Sequence, residues 1–387
     1  MDPIIFLDNG ATSFPKPEEV YVHMDRFYRR FGVNPGRSGY DLCLEAGETL
    51  ENTRKMLTRF FNGKDFNRLC FSYNSTDALN LILFGLIRPG DHVLTTALEH
   101  NSVLRPLYHL QKDLGIEMEI VPFDGRGFVD PSDIAARFKA QTRLVVVNHA
   151  SNVIGTVQPI REIGKNCRDR GILFVIDASQ SAGKVSIDME RDNLDAVAFT
   201  GHKSLLGPTG IGGLYVREGV EIRHTRAGGT GVRSAQHLHL DEYPYRLEYG
   251  TPNIMGIAGL QAGLRWIETN GLEAIHHGEM ELTRTLVDGL RGIDRVRLYC
   301  AEDLTDHISV VAFNIEGVAA ADVGTMLDVD HNIASRTGLH CAPLVHEQLG
   351  TDKIHGAVRF GIGPFNTDAH IRTAVGAVRE IAALKTK

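Results

Sequence analysis

Cysteine is scarce in this chain of 387 residues: there are five, and no two form a C-x-x-C pair. An odd, scattered set (Cys43, Cys70, Cys167, Cys300, Cys341) does not describe a disulfide framework, and none of the five stands at a metal-ligand spacing. Basic charge is not in excess either. With 41 Lys and Arg against 48 Asp and Glu, the formal charge is -7, which argues against a nucleic-acid-binding face. No apolar run approaches the ~20 residues that would span a bilayer. The first twelve residues lack a basic run, and their apolar stretch is confined to Ile4–Leu7, which is not the pattern of a secretory leader. Low-complexity linkers and fixed-period repeats are missing as well. Together these gaps lead to the expectation of a reducing, cytoplasmic setting, with thiols left unpaired and open to chemistry.

What is present reads as an ordinary globular protein, with 43% hydrophobic and 23% charged residues. The length suits two or three domains with a substantial core. A helix is expected from Asp41 to Gly63, stopped by Asn62-Gly63. From Arg68 onward strand and helix patterns alternate. Near-continuous apolar runs stand at 143–148, 172–177, 195–200 and 212–216. Such runs separated by helices predict a mostly parallel sheet covered on both faces. In such sheets ligands bind at the carboxyl ends of the strands. From about Met255 the pattern changes to a long helical segment running through Trp266 past Met280, then strand-like pieces at 295–299 and 307–314, and a last helix from about Asp368. A second, smaller α/β domain is expected there.

Two polar residues at strand ends carry the chemistry. Asp177 closes one apolar run, and Lys203 follows the next, in Thr200-Gly201-His202-Lys203. A buried Lys sheds its proton readily and becomes a nucleophile. Pyridoxal-5′-phosphate (PLP) enzymes need such a Lys together with an acid facing the pyridine nitrogen. A phosphate site is also visible in Ser72-Tyr73-Asn74-Ser75-Thr76, between a strand and a helix, where backbone N–H groups and hydroxyls meet a positive helix end. Taken alone, each of these residues also suits an ordinary cap or loop.

In order along the chain stand Asn74-Ser75-Thr76, Glu99-His100, Ser151-Asn152-Val153-Ile154-Gly155-Thr156, Asp177-Ala178-Ser179-Gln180, Thr200-Gly201-His202-Lys203 and Arg336-Thr337-Gly338-Leu339-His340-Cys341. With these motifs the sequence resembles the class V aminotransferase-fold enzymes, and among them the cysteine desulfurase and selenocysteine lyase group. The resemblance runs from Leu7-Asp8-Asn9 to the C-terminal helix. It implies PLP-dependent fold type I, with an N-terminal arm over residues 1–15, a large PLP-binding domain over 16–255 and a small domain over 256–387. It implies that Lys203 carries the cofactor as a Schiff base and later moves the Cα proton. His100 would stack on the ring, Asp177 pair with the pyridine nitrogen and Gln180 bond the phenolic oxygen. Ser75, Thr76, Thr200 and His202 would hold the phosphate, joined by Thr251 from across a homodimer interface. Asn152 would contact the ring edge and, with Arg359, the substrate carboxylate, and Arg336 would also bind substrate; a planar Arg fork suits that task.

PLP serves many amino-acid reactions, so Cys341 decides among them. It sits in a Gly- and Pro-flanked loop with Arg336 and His340 close in sequence, and nearby cations favour the thiolate. The resemblance implies that Cys341 attacks the sulfur of L-cysteine, leaving a persulfide and releasing alanine. The loop resembles the short-loop desulfurases, which hand sulfur to an acceptor protein. Two departures stand out. Leu339 occupies a position where many relatives carry a second His, and Arg226–Arg233 is Gly-rich where relatives have a hairpin-like element. The competing readings are selenocysteine lyase, another C–S lyase, an epimerase, an aminotransferase, or a scaffold without catalysis.

Overall fold

The computed structural model describes residues 4–35 and 39–384. The chain opens with a two-residue strand, β1 (Ile5–Phe6), followed by helices α1 (Glu18–Phe31) and α2 (Asp41–Phe60). The first sheet then builds by alternation: β2 (Leu69–Ser72), α3 (Ser75–Leu86), β3 (His92–Thr96), α4 (Asn101–Leu114), β4 (Glu117–Val121), α5 (Pro131–Ala136), β5 (Thr142–Asn148), α6 (Ile160–Asp169), β6 (Leu173–Asp177), β7 (Ala196–Thr200) and β8 (Gly212–Val216). These strands order as β2-β8-β7-β6-β5-β3-β4. β8 runs antiparallel to both neighbours, and the other pairs are parallel. The apolar runs are buried on both faces, as parallel strands under helices require. Every residue of β7 and β8 is buried.

Two long helices follow, α7 (Ile254–Asn270) and α8 (Leu272–Arg291), separated by Gly271 at φ +79°. The sequence suggested a single helix here. The left-handed conformation at Gly271, which only glycine adopts freely, ends the first and turns the chain into the second. Ile257, Leu260 and Leu264 of α7 join the core under the large sheet, while Leu286, Val287 and Leu290 of α8 join a second core. That core lies against β9 (Val296–Tyr299), β10 (Val310–Ile315), α9 (Ala320–His331), β12 (Arg336–Gly338), β13 (Ala357–Gly361) and α11 (Asp368–Ala383), with β11 (Ile333–Ala334) pairing back to β1 and α10 (Pro343–Leu349) following β12. The four longer strands make an antiparallel sheet, β12-β13-β10-β9. The expected α/β architecture is borne out: a large, mainly parallel sheet under helices, plus a second, smaller α/β unit.

A buried ion pair links the two halves. Lys184, after β6, meets Glu279 of α8 and donates to the Ser309 hydroxyl, which in turn donates to Glu279 at 2.7 Å. Among the described residues, no helix is long and apolar enough to cross a membrane.

Candidate active site

The carboxyl ends of six strands open on one edge of the large sheet. β3, β4, β5, β6 and β7 are parallel, and β2 shares their direction because β8 reverses twice between β7 and β2. Along that edge stand Ser75 and Thr76 at the start of α3 and His100 at the start of α4. Asn152 follows β5, Asp177 ends β6 and Gln180 comes just after it. Thr200 ends β7, with His202 and Lys203 beyond. The second sheet supplies Arg336 in β12, Arg359 in β13, and Cys341 in the turn between β12 and α10.

The charges of Asp177, Arg359, Arg336 and Cys341 all act on the Lys203 amine. Desolvation dominates and lowers its pKa from 10.5 to about 8; Asp177 opposes the shift, and the two arginines add to it. A share of the amine is therefore neutral near physiological pH, as a nucleophile needs. His100 is lowered to about 4, first by desolvation and then by the Lys203 charge. Its Nδ1 accepts from the Ser102 backbone N–H at 3.0 Å, so the ring caps α4 and carries its proton on Nε2. The capping reading and the cofactor reading of His100 are thus compatible. Asp177 is 2% exposed and accepts from the Ser179 backbone at 2.9 Å and from the Ser179 hydroxyl.

Arg336 and Arg359 lie directly opposite each other in the β12–β13 register. Like charges in that relation destabilise a sheet, which points to a use for the pair. Arg359 is 1% exposed, far from the surface position that a strand-end Arg takes by default. It donates to Asp8 at 2.6 Å and to the Asn152 carbonyl at 2.9 Å. Gly10 lies so close to its guanidinium that a Cβ there would sit 3.0 Å from Cζ. Any larger residue at position 10 would push the fork aside. Cys341 is the one cysteine of the five that is not buried. Arg336 donates to its Sγ at 3.4 Å.

Three polar atoms along this edge have an unmet hydrogen-bonding demand. The Asn152 side-chain oxygen, Thr200 Oγ1 and His202 Nδ1 are buried and have no partner within the protein. Buried polar groups almost always find a partner. Three such atoms beside Lys203 and Asp177 fit a polar, phosphate-bearing ring system.

The sequence matches the Aminotransferase class-V family over residues 5–373. The chain belongs to that family. Among its curated relatives, a probable cysteine desulfurase of Pyrococcus abyssi is 36% identical over 386 residues, covering 98% of this chain and 94% of the relative. A cysteine desulfurase of Salmonella agona is 32% identical, covering 99% and 94%. Among solved structures, the apo cysteine desulfurase of Thermococcus onnurineus NA1 superposes with a TM-score of 0.92 at 37% identity, covering 98% and 94% of the two chains. The S-sulfonic acid form of the cysteine desulfurase CsdA from Escherichia coli gives 0.88 at 26% identity, covering 98% and 94%. The resemblance read from the motifs, to a class V enzyme of the cysteine desulfurase group, is borne out.

Within this family fold the structure adds contacts that the sequence did not announce. Gln180 gives one amide hydrogen to the Gly10 carbonyl at 2.7 Å. Thr251 is exposed and lines a cavity of about 530 Å³ with Tyr73 and Asp77, beside the start of α3. The Gly-rich segment is tied at both ends. Arg226 pairs with Asp77 and lies 4.8 Å from the Tyr249 ring centre, and Arg233 pairs with Glu242 at 3.0 Å. Asp8 and Glu99 both stood inside recognised motifs, but nothing in the sequence gave them a role. Glu99 is fully buried, and its pKa is pushed up to about 8, chiefly by desolvation.

Proposed function

We propose that this chain is a PLP-dependent cysteine desulfurase that turns L-cysteine into L-alanine and holds the sulfur as a persulfide on Cys341. The observation that carries the reading is the placement of a solvent-reachable thiol, with an arginine at 3.4 Å, in the electrostatic reach of Lys203. PLP, when bound, supplies an electron sink for the substrate carbanion.

The residues divide the remaining work. Ser75, Thr76, Thr200 and His202 would hold the phosphate, with Thr251 added from the second copy of a homodimer. Gln180 would serve the phenolic oxygen, and His100, as a neutral imidazole, would pack on the ring. Asp177 would keep a proton on the pyridine nitrogen. Arg359 and Asn152 bind the substrate carboxylate, and Arg336 stands between that clamp and the thiol. The neutral Lys203 amine takes the Cα proton. The Cys341 sulfur then bonds to the substrate sulfur as the C–S bond breaks, and the electron pair stays with the carbon fragment. Two protons returned to that fragment, the one held by Lys203 at Cα and one matching that lost by the Cys341 thiol at Cβ, give alanine, so one cysteine and one thiol become one alanine and one persulfide.

The proposed setting is cytoplasmic, with a separate sulfur-acceptor protein. The proposed division is an arm over 1–15, a PLP-binding unit over 16–255 and a small unit over 256–387 whose first helix stays docked on the large core.

The test is intact-mass analysis of the PLP-loaded protein after exposure to L-cysteine, run beside Cys341→Ala. One added sulfur on the wild type, none on the variant, and alanine in solution support the reading. If the cofactor absorbance is intact but neither adduct nor alanine appears, the cysteine reading fails. Selenocysteine and larger thio-amino acids then become the substrates to try.

A further inference from the structure

The loop that presents Cys341 is held in an unfavourable backbone conformation. His340 and Cys341 both have positive φ, +50° and +57°, where non-glycine residues carry a steric penalty. Something must fix the loop there. Three contacts belong to the site already described: the Asn152 amide donates to the His340 carbonyl at 2.7 Å, the Asn101 backbone N–H donates to the Cys341 carbonyl at 2.7 Å, and Arg336 reaches Sγ. The fourth is a chain of side chains on the other side of the loop. His340 Nδ1 lies 3.2 Å from His346 Nε2, and His346 Nδ1 lies 2.8 Å from Thr351 Oγ1. At the near end, His340 Nε2 lies 3.4 Å from the Arg336 carbonyl. His340, His346 and Thr351 are 3%, 0% and 2% exposed, so water does not substitute for any link.

The direction of every proton in this chain follows from its carbonyl end. A carbonyl only accepts, so His340 Nε2 carries the hydrogen and Nδ1 is left as an acceptor. His346 Nε2 must then donate to it, which leaves His346 Nδ1 to accept from the Thr351 hydroxyl. With neutral rings no other arrangement satisfies all three links. Turning His346 alone sets two lone pairs face to face at 3.2 Å, and turning both rings sets the His340 Nε2 lone pair against the Arg336 carbonyl, in a buried place where an unmet polar group is costly.

We infer that His346 is a positioning residue for the sulfur-transfer step: it donates to His340, and through His340 it holds both the Arg336 carbonyl and the backbone of Cys341. It makes no hydrogen bond to Lys203 or Arg359 and reaches the substrate clamp only through the His340 carbonyl that accepts from Asn152, so its influence falls chiefly on the thiol. The inference rests on the reading of Cys341 as the sulfur acceptor.

The experiment compares His346→Leu, His346→Gln and Thr351→Val in the PLP-loaded protein. Gln places an amide N–H where the imidazole Nε2–H stood, and Leu places none. Misplacing a reacting atom by about 1 Å costs roughly a hundredfold, and a partly loosened loop should cost roughly tenfold or more. His346→Leu is expected to lower kcat with L-cysteine by roughly 10–100-fold while KM stays within about twofold, and His346→Gln to recover most of the loss. Thr351→Val frees His346 to change tautomer and is expected to show a smaller, several-fold loss. Alkylation of Cys341 by iodoacetamide, followed by mass, reads the same loosening without any turnover. Leu should change the alkylation rate several-fold, and Gln should restore it. If wild-type protein forms no persulfide but the alkylation pattern holds, the desulfurase reading falls and the sulfur-transfer role with it, while the positioning of the Cys341 loop by His346 stands. If Leu matches wild type in alkylation and turnover, or Gln is as impaired as Leu, the inference is overturned. Should His346→Leu fail to fold, wild-type behaviour of Thr351→Val overturns it equally.

Discussion

The amine of Lys203 is placed to titrate near pH 8 in the protein free of cofactor, against 10.5 for an ordinary lysine. At pH 7 a pKa of 10.5 leaves about one amine in 3,000 neutral, whereas a pKa near 8 leaves about one in eleven, a gain of roughly 300-fold in reactive form. The causes of the shift predict how it responds to substitution. Desolvation is the largest and cannot be removed without rebuilding the pocket. Arg359 and Arg336 lower the pKa, so replacing either with Gln should move the midpoint upward. Asp177 raises it, so Asp177→Asn should move it downward. The assay is trace acetylation of the cofactor-free protein across pH 6–11, with peptide mass spectrometry reading Lys203 against the surface lysines. Lys203 should reach half its limiting rate about two pH units before the others. A Lys203 curve that follows the surface lysines, or that shifts the wrong way in Asp177→Asn, would refute the account of how this pocket makes a nucleophile.

Three further outcomes are expected. Arg359→Lys keeps the charge but loses the fork, and a lost charged hydrogen bond of about 1.5–3 kcal/mol should raise KM for L-cysteine roughly 10–100-fold; an unchanged KM would remove Arg359 from the clamp. Glu99 keeps its proton to about pH 8 in the folded protein and releases it near 4.5 when unfolded. Stability should therefore fall as pH rises through that window, by at most about 1.4 kcal/mol per pH unit, and remain unaffected by this group below it. Glu99→Gln should remove that slope in urea titrations, and a gap between the two proteins that is constant with pH would contradict this. Lys184→Met leaves Glu279 buried without its partner and should cost about 3–5 kcal/mol, whereas Lys184→Met with Glu279→Leu should cost much less. Equal losses in urea melts would show that the charge pair is not the cause.

The sheet was legible because 143–148 and 172–177 are apolar almost without interruption, and burial on both faces leaves no other pattern. Lys203 and Asp177 were legible because they break that pattern at its ends. Helix limits were less so. The helix expected to Gly63 stops at Phe60, since Phe61 turns into the core and Asn62 adopts φ +52°. The strand expected from His307 starts at Val310 after Ile308 bonds to Gly155. The helix α1 was not anticipated, nor was the β1–β11 pair, which is only two residues long. Within the site, the sequence named the charged groups but not their partners. Asp8 with Arg359 and Gln180 with Gly10 are contacts between distant positions, and no local propensity encodes them. The His340, His346 and Thr351 chain lies within twelve residues, yet it depends on the turn at Gly350 that brings Thr351 back to the His346 ring.

Asp8 reaches Arg359 across 351 positions, and Ile5 pairs with Ile333. Closing loops of that length costs entropy before any contact repays it. During synthesis, every strand of the large sheet has been made once Val216 is in place, while Cys341 and Arg359 do not yet exist. A chain of that length carries Lys203 and Asp177 but lacks the α7 residues Ile257, Leu260 and Leu264 that complete the core under the sheet, and it lacks Cys341 and Arg359. The order of translation thus keeps Lys203 and the proposed sulfur acceptor Cys341 apart until the last quarter of the protein is being added.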